Sequence, residues 1–172
     1  MISWQILPGD NFASLRSLPG GAVQTCITSP PYYGLRDYGH EGQIGLEESP
    51  QEYVARLVEV FREVRRVLRD DGTLWLNLGD TYASGGMSNP SPGSTLGGGK
   101  ERGAADYTIS RTAPAGCKPK DLLGIPWMVA FALRDDGWYL RSEIVWAKPN
   151  QMPESVTDRP TKAHEQVFLL AK

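Results

Sequence analysis

The stretch Ala22-Val-Gln-Thr-Cys-Ile-Thr-Ser-Pro-Pro-Tyr32 decides how this chain is read. Its first seven residues form a continuous rather than alternating run, as expected of a strand buried on both faces in an α/β sheet. The run then stops at a polar residue, two prolines and an aromatic. Proline fixes φ, so the carbonyls of such a strand end are held in place before any ligand arrives. An exocyclic amine on a heteroaromatic ring is a poor nucleophile, because its lone pair is delocalised into the ring. The Ser29 hydroxyl and the free carbonyl of Pro30 could each accept one N–H bond from such an amine. Together they would favour a pyramidal nitrogen with its lone pair released. Tyr32 could stack on the ring face. A strand-ending turn with an incidental aromatic is the plain alternative for the tetrapeptide alone.

Working outward, Ser3 to Leu7 reads as a short strand, Phe12 to Leu18 as a short helix, and Pro19-Gly20-Gly21 as the turn that closes it. A long amphipathic helix is expected from about Pro50 to Arg69, with Ser49 as cap and Pro50 in the first turn. Tyr53, Leu57, Val60, Phe61, Val64, Val67 and Leu68 recur along one of its faces. Asp70-Asp71-Gly72 should end it, and Thr73 to Leu78 should form the next strand. A second helix is expected at Leu122 to Arg134, followed by strands at Leu140 to Ala147 and Gln166 to Leu170. Strands alternating with helices indicate an α/β domain with a largely parallel sheet. The last two strands have no helix between them and are expected to pair antiparallel at one edge. Residues 83–120 stand apart as a Gly/Ser-rich loop, starting at the carboxyl end of a strand, where open α/β sheets bind ligands.

Composition limits the function classes. The chain has 172 residues, is 40% hydrophobic and 22% charged, and carries a net charge of −2, as expected of one soluble, cytoplasmic domain. No apolar run approaches the ~20 residues of a membrane span, and no secretory leader is legible at the N-terminus. Cys26 and Cys117 fit no zinc spacing, and His40 and His164 are scattered, so no metal site is expected. The charge balance excludes a generally basic protein and leaves room for a local basic footprint.

The longer segment Thr28-Ser-Pro-Pro-Tyr-Tyr-Gly-Leu-Arg-Asp-Tyr38 resembles the catalytic motif of amino-methylating DNA methyltransferases, which make N4-methylcytosine or N6-methyladenine. Other blocks resemble that family in order. They are Ile6-Leu-Pro-Gly-Asp10, Asp71-Gly-Thr-Leu-Trp-Leu-Asn-Leu-Gly-Asp80, Arg141-Ser-Glu-Ile-Val-Trp-Ala-Lys-Pro-Asn150, and the stretch from Pro153 to Glu165. The resemblance implies a partial Rossmann-like sheet of the S-adenosylmethionine-dependent methyltransferase type, with double-stranded DNA as partner and S-adenosyl-L-methionine as cofactor. It implies that Ser29, Pro30, Pro31 and Tyr32 hold a base swung out of the duplex, as an amine stacked inside the helix cannot be reached. A Ser at the head of the motif leans toward cytosine N4, with adenine N6 the alternative. Methyltransferases acting on a protein glutamine amide share a similar Pro-Pro-Tyr platform. The Gly34-Leu-Arg-Asp-Tyr38 continuation argues against them.

Asp10 matches the family position that contacts the cofactor's adenine, and it could equally cap the helix that follows. Asp80 could face the active site or cap a turn. His164 and Glu165 read as structural. Arg62, Arg65, Arg66 and Arg69 alternate with Glu59 and Glu63 and read as a solvated face. Lys100, Arg102 and Arg111, in the Gly/Ser-rich loop, are the candidate DNA-binding residues. The family's Asp-Pro-Phe-x-Gly-Ser-Gly cofactor turn does not occur in the sequence. The expectation is therefore a single catalytic domain over 1–172, incomplete at its C-terminal side. Its cofactor-binding half would lie further on in a longer protein or on a second polypeptide. A truncated remnant that only binds DNA or a partner is the non-enzymatic alternative.

Overall fold

A computed structural model describes residues 4–83, 113–114, 116–151, 154 and 156–172. Asp10 precedes α1 (Asn11–Ser17), and β1 (Val23–Thr28) ends at the Ser-Pro-Pro-Tyr stretch. Then come α2 (Pro50–Val67), β2 (Leu68–Leu78), α3 (Ile125–Asp135), β3 (Tyr139–Ala147) and β4 (His164–Ala171). The four strands form one sheet in the order β1-β2-β4-β3.

The long helix starts as its sequence dictates. Ser49 accepts from the Glu52 amide at 3.2 Å, and the Glu52 carboxylate accepts from the Ser49 amide at 3.2 Å, closing a capping box ahead of Pro50. Its apolar stripe, including Tyr53, Leu57, Phe61 and Val64, packs with Val129 and Leu133 of α3 against Leu74, Leu76 and Leu78 of β2 and Phe168 and Leu170 of β4. The core thus lies on one face of the sheet.

Several expectations are corrected. The helix does not run on to Arg69, and Asp70-Asp71-Gly72 is no separate turn: Leu68 is already extended, fully buried and paired with Val23. The register then jumps from Val23–Leu68 to Thr25–Thr73, so residues 69–72 bulge within β2. Gly72 permits the bulge, since a Cβ there would lie 2.8 Å from the Arg69 carbonyl oxygen. Trp4 to Leu7 form no strand; Trp4 is 81% and Ile6 73% exposed, and among the described residues no strand pairs with them. Finally, only β1 and β2 run parallel; β2–β4 and β4–β3 are antiparallel, so the sheet is mixed rather than largely parallel.

The β3–β4 pair forms the antiparallel edge that the sequence indicates. The strand β1, however, is not buried on both faces. It lies at the other edge, and Ile27 is 78% exposed because no helix covers its side of the sheet among the described residues.

Candidate active site

The Ser-Pro-Pro-Tyr segment leaves the carboxyl end of β1 beside the carboxyl end of its parallel neighbour β2, where Thr28 pairs with Leu76. Its backbone is anchored from below. The buried Tyr53 of α2 donates its hydroxyl to the Pro31 carbonyl at 2.8 Å. Burial pushes the Tyr53 phenol far above its ordinary range, so it stays a donor. From the other side the following loop folds back, with the Gly34 amide donating to the Gly45 carbonyl at 2.7 Å. Both glycines hold positive φ, at 65° and 108°. The Gln43 side chain braces the loop further, accepting from the Tyr38 amide and donating to the Arg36 carbonyl.

These constraints shape a cavity of about 270 Å³ lined by Ser29, Pro30, Pro31, Tyr32, Leu35, Arg36 and Tyr38. It carries hydroxyl and carbonyl acceptors, aromatic faces and one guanidinium, a set suited to a flat, hydrogen-bonding ring. Ser29 also borders a second, largely apolar groove of about 430 Å³ on the uncovered sheet face, formed by Ile27, Thr28, Trp75, Asn77, Trp146 and Val167.

Tyr32 turns its hydroxyl into the sheet edge. Its oxygen lies 2.9 Å from Asn77 Oδ1, 3.2 Å from Glu165 Oε2 and 3.2 Å from Ser29 Oγ. Lys148 Nζ in turn donates to Glu165 Oε1. Burial alone would raise the Glu165 carboxyl. The hydrogen-bonded Lys148 ammonium outweighs it, and Tyr32 and Asn77 add to the effect, so the group sits below the usual carboxylate range. The Tyr32 phenol is raised, first by burial and also by the charge of Glu165, against a lowering contribution from Ser29. The ring approaches β2 so closely that a Cβ at Gly79 would fall 2.4 Å from Tyr32 Cε2.

The other sequence candidates have different surroundings. Asp10 caps α1, accepting from the Ala13 amide at 2.9 Å. Asp80 accepts from the Thr81 and Ile125 amides at 2.9 and 3.0 Å, joining the end of β2 to the start of α3. Lys100, Arg102 and Arg111 lie outside the described residues. Among the described residues, the Ala83 amide donates to the Asp121 carbonyl and Tyr82 is bridged to Leu122. Among the described residues no cluster of His, Cys, Asp and Glu could hold a metal ion, and no helix is long and apolar enough to cross a membrane.

Asn77, Lys148, Glu165, Tyr53 and Gly79 are the residues that sequence reasoning missed. Lys148 and Glu165 are joined by strand register, which local pattern does not encode: Trp146 lies opposite Glu165, so alternation puts Lys148 on the same sheet face, one diagonal step away. A polar Asn77 at the end of an apolar strand was the one local cue.

The family model described as DNA methylase, for N6 and N4 methyltransferases, matches residues 23–172. The chain is 54% identical over 167 residues to the type II methyltransferase M.Cfr9I of Citrobacter freundii, covering 97% of this chain and 54% of that protein. It therefore spans about half the length of the curated relatives it matches. Among solved structures, the PvuII DNA methyltransferase (cytosine-N4-specific) superposes with a TM-score of 0.61 at 19% identity, over 95% of this chain and 47% of that one. A DNA modification methylase of Thermus thermophilus, TTHA0409, solved with S-adenosyl-L-methionine, gives 0.60 at 21% identity, over 95% of this chain and 53% of that one. These two likenesses show a shared fold, and the family match adds the rest: this chain belongs to the N6/N4 DNA methylase family.

Proposed function

We propose that this chain is the base-holding, catalytic half of an S-adenosyl-L-methionine-dependent DNA methyltransferase acting on the exocyclic amine of a flipped base, with cytosine N4 as the target. One observation carries the reading. Ser29 and Pro30, which carry a hydroxyl and a carbonyl acceptor, line a braced cavity whose neighbouring Pro31 carbonyl is already taken by Tyr53. The two remaining acceptors match the two N–H bonds of an amine, and Tyr32, Leu35 and Tyr38 offer faces for its ring. Because the acceptors are fixed beforehand, little reorganisation opposes the change of the nitrogen from planar to pyramidal. A neutral Ser hydroxyl at the head of the motif favours cytosine N4; adenine N6 is the alternative target.

When bound, the donor supplies an electrophilic methyl group. Of the residues the family resemblance assigns to it, this chain carries Asp10, whose Oδ1 is engaged in capping α1. The described residues therefore fit the base side of the reaction and not a full cradle for the donor. The cofactor-binding half would be supplied by a further segment or a second polypeptide. Lys100, Arg102 and Arg111 are proposed to meet duplex phosphates, a contact whose affinity falls steeply with salt.

The test is to incubate the longer protein, or this chain with its complement, with labelled donor and duplex DNA, then identify the modified nucleoside. N4-methylcytosine supports the reading. N6-methyladenine corrects the target, and label on protein alone overturns it. Ser29→Ala should remove most turnover while sparing donor binding. Replacing Lys100, Arg102 and Arg111 together with alanine should weaken DNA binding and flatten its salt dependence.

A further inference from the structure

Ser29 and Tyr32 of the cavity wall, with Asn77, Glu165 and Lys148 behind it, form one directed network of hydrogen bonds. A phenol has a single proton. The Tyr32 oxygen faces two acceptors, Asn77 Oδ1 at 2.9 Å and Glu165 Oε2 at 3.2 Å. The Asn77 amide nitrogen donates to the Gln166 carbonyl at 3.2 Å, which turns its Oδ1 toward Tyr32. The phenol proton is therefore committed inward, to Asn77 or Glu165. The Tyr32 oxygen can then only accept from Ser29 Oγ, 3.2 Å away. A serine that donates its one proton backward keeps its lone pairs for whatever enters the cavity.

We propose that Lys148 and Glu165 are positioning residues for the methyl-transfer site: acting through Tyr32, they orient the Ser29 hydroxyl as an obligate acceptor of the substrate amine. This rests on the base-holding reading above and adds two residues to it. Neither lines the cavity, and both come from the β3–β4 edge, far from the motif in sequence. Without the carboxylate, Asn77 Oδ1 alone holds the phenol proton inward, so the Ser29 hydroxyl is held less firmly and more often turns its proton toward the substrate, where it opposes an N–H group. Lys148 anchors the carboxylate: it neutralises the charge and fixes which oxygen faces Tyr32. Its side chain is 42% exposed against 19% for Glu165, so replacing the lysine is the gentler perturbation of the fold.

The relay is read without catalysis by placing 3-fluorotyrosine at position 32 of the full chain and following its ionisation by fluorine NMR. Glu165→Gln removes the facing negative charge and should shift the titration to lower pH. Lys148→Gln leaves that charge uncompensated and should shift it to higher pH. A midpoint unmoved by both changes overturns the relay. Opposite shifts show that both charges act on the Tyr32 phenol; the turnover measurements below separate a relay from an ion pair that serves the fold alone.

In the catalytically complete protein, each change should lower kcat about tenfold, as for the loss of one charge-assisted hydrogen bond, with KM for DNA and donor little altered. In a Tyr32→Phe background the Glu165→Gln effect should vanish, because the connection to Ser29 is already cut. An undiminished Glu165→Gln effect in that background overturns the proposal. If the complete protein methylates no DNA, the base-holding reading fails, whereas the fluorine titration still judges the relay.

Discussion

A methyl group at Gly79 would collide with the Tyr32 ring, 2.4 Å from Cε2 and 2.7 Å from Cδ2. Such a contact is normally relieved by swinging the side chain away. Here the phenol is tied to Asn77 and Glu165, so relief means breaking those bonds. The φ of Gly79 is not in the positive range, so alanine meets no backbone objection and the substitution tests spacing alone. Gly79→Ala should therefore cost about 1–3 kcal/mol of stability by overpacking and lower methyl transfer well beyond that. Thermal melting set beside turnover checks it; full turnover would show that the ring position does not matter. Tyr53→Phe probes the anchor beneath. It removes a phenol from an interior position and leaves the Pro31 carbonyl without its donor, at about 1–3 kcal/mol. The urea midpoint should fall accordingly. If the midpoint holds, the Pro-Pro segment does not depend on that bond.

At the scale of elements, Asp80 shows how a polar strand end becomes a joint. The helix α3 begins at Gly124 with φ of 74° and has no side-chain cap of its own. Asp80, from 45 residues earlier, fills that role by accepting from the Ile125 amide. Its side chain is 3% exposed, and Lys162 stands 4.0 Å away to balance the charge. Asp80→Ala should destabilise the fold by about 1–2 kcal/mol, and Asp80→Asn should recover most of that. If turnover fell in Asp80→Asn while its melting temperature matched the parent, Asp80 would belong to the chemistry. This case also marks what was legible. The Ser49 cap, the stripe of α2 and the β3–β4 pair were written in neighbouring residues, where short-range rules apply. The Ser-Pro-Pro-Tyr strand end was legible for the same reason. The Tyr32–Glu165 bond spans 133 positions, and the bulge at 69–72 exists only because Leu68 pairs with Val23. Such features follow from tertiary pairing, which local pattern does not encode.

At the scale of the whole molecule, one layer of helices covers one face of the sheet among the described residues. The opposite face presents Ile27 of β1, Trp75 of β2, Val167 of β4 and Trp146 of β3 around the apolar groove that borders Ser29. Ile27 is 78% and Trp146 56% exposed. A contiguous patch of this kind on a sheet, ending in an unpaired edge strand, is a surface that water disfavours and other protein covers. On the reading proposed above, the cofactor-binding part of the enzyme is the cover that this face is suited to. Alone at micromolar concentration, the chain should bind a hydrophobic dye and self-associate, seen as a concentration-dependent sedimentation coefficient. Ile27→Ser with Trp146→Ser should reduce both, at little cost to stability, because neither side chain is in the core. Addition of the complementary half should abolish dye binding, raise the melting temperature by mass action and create donor affinity that neither part has alone. A monomer that ignores the dye would mean that the open face is covered by this chain itself, and the complement would then have to dock elsewhere.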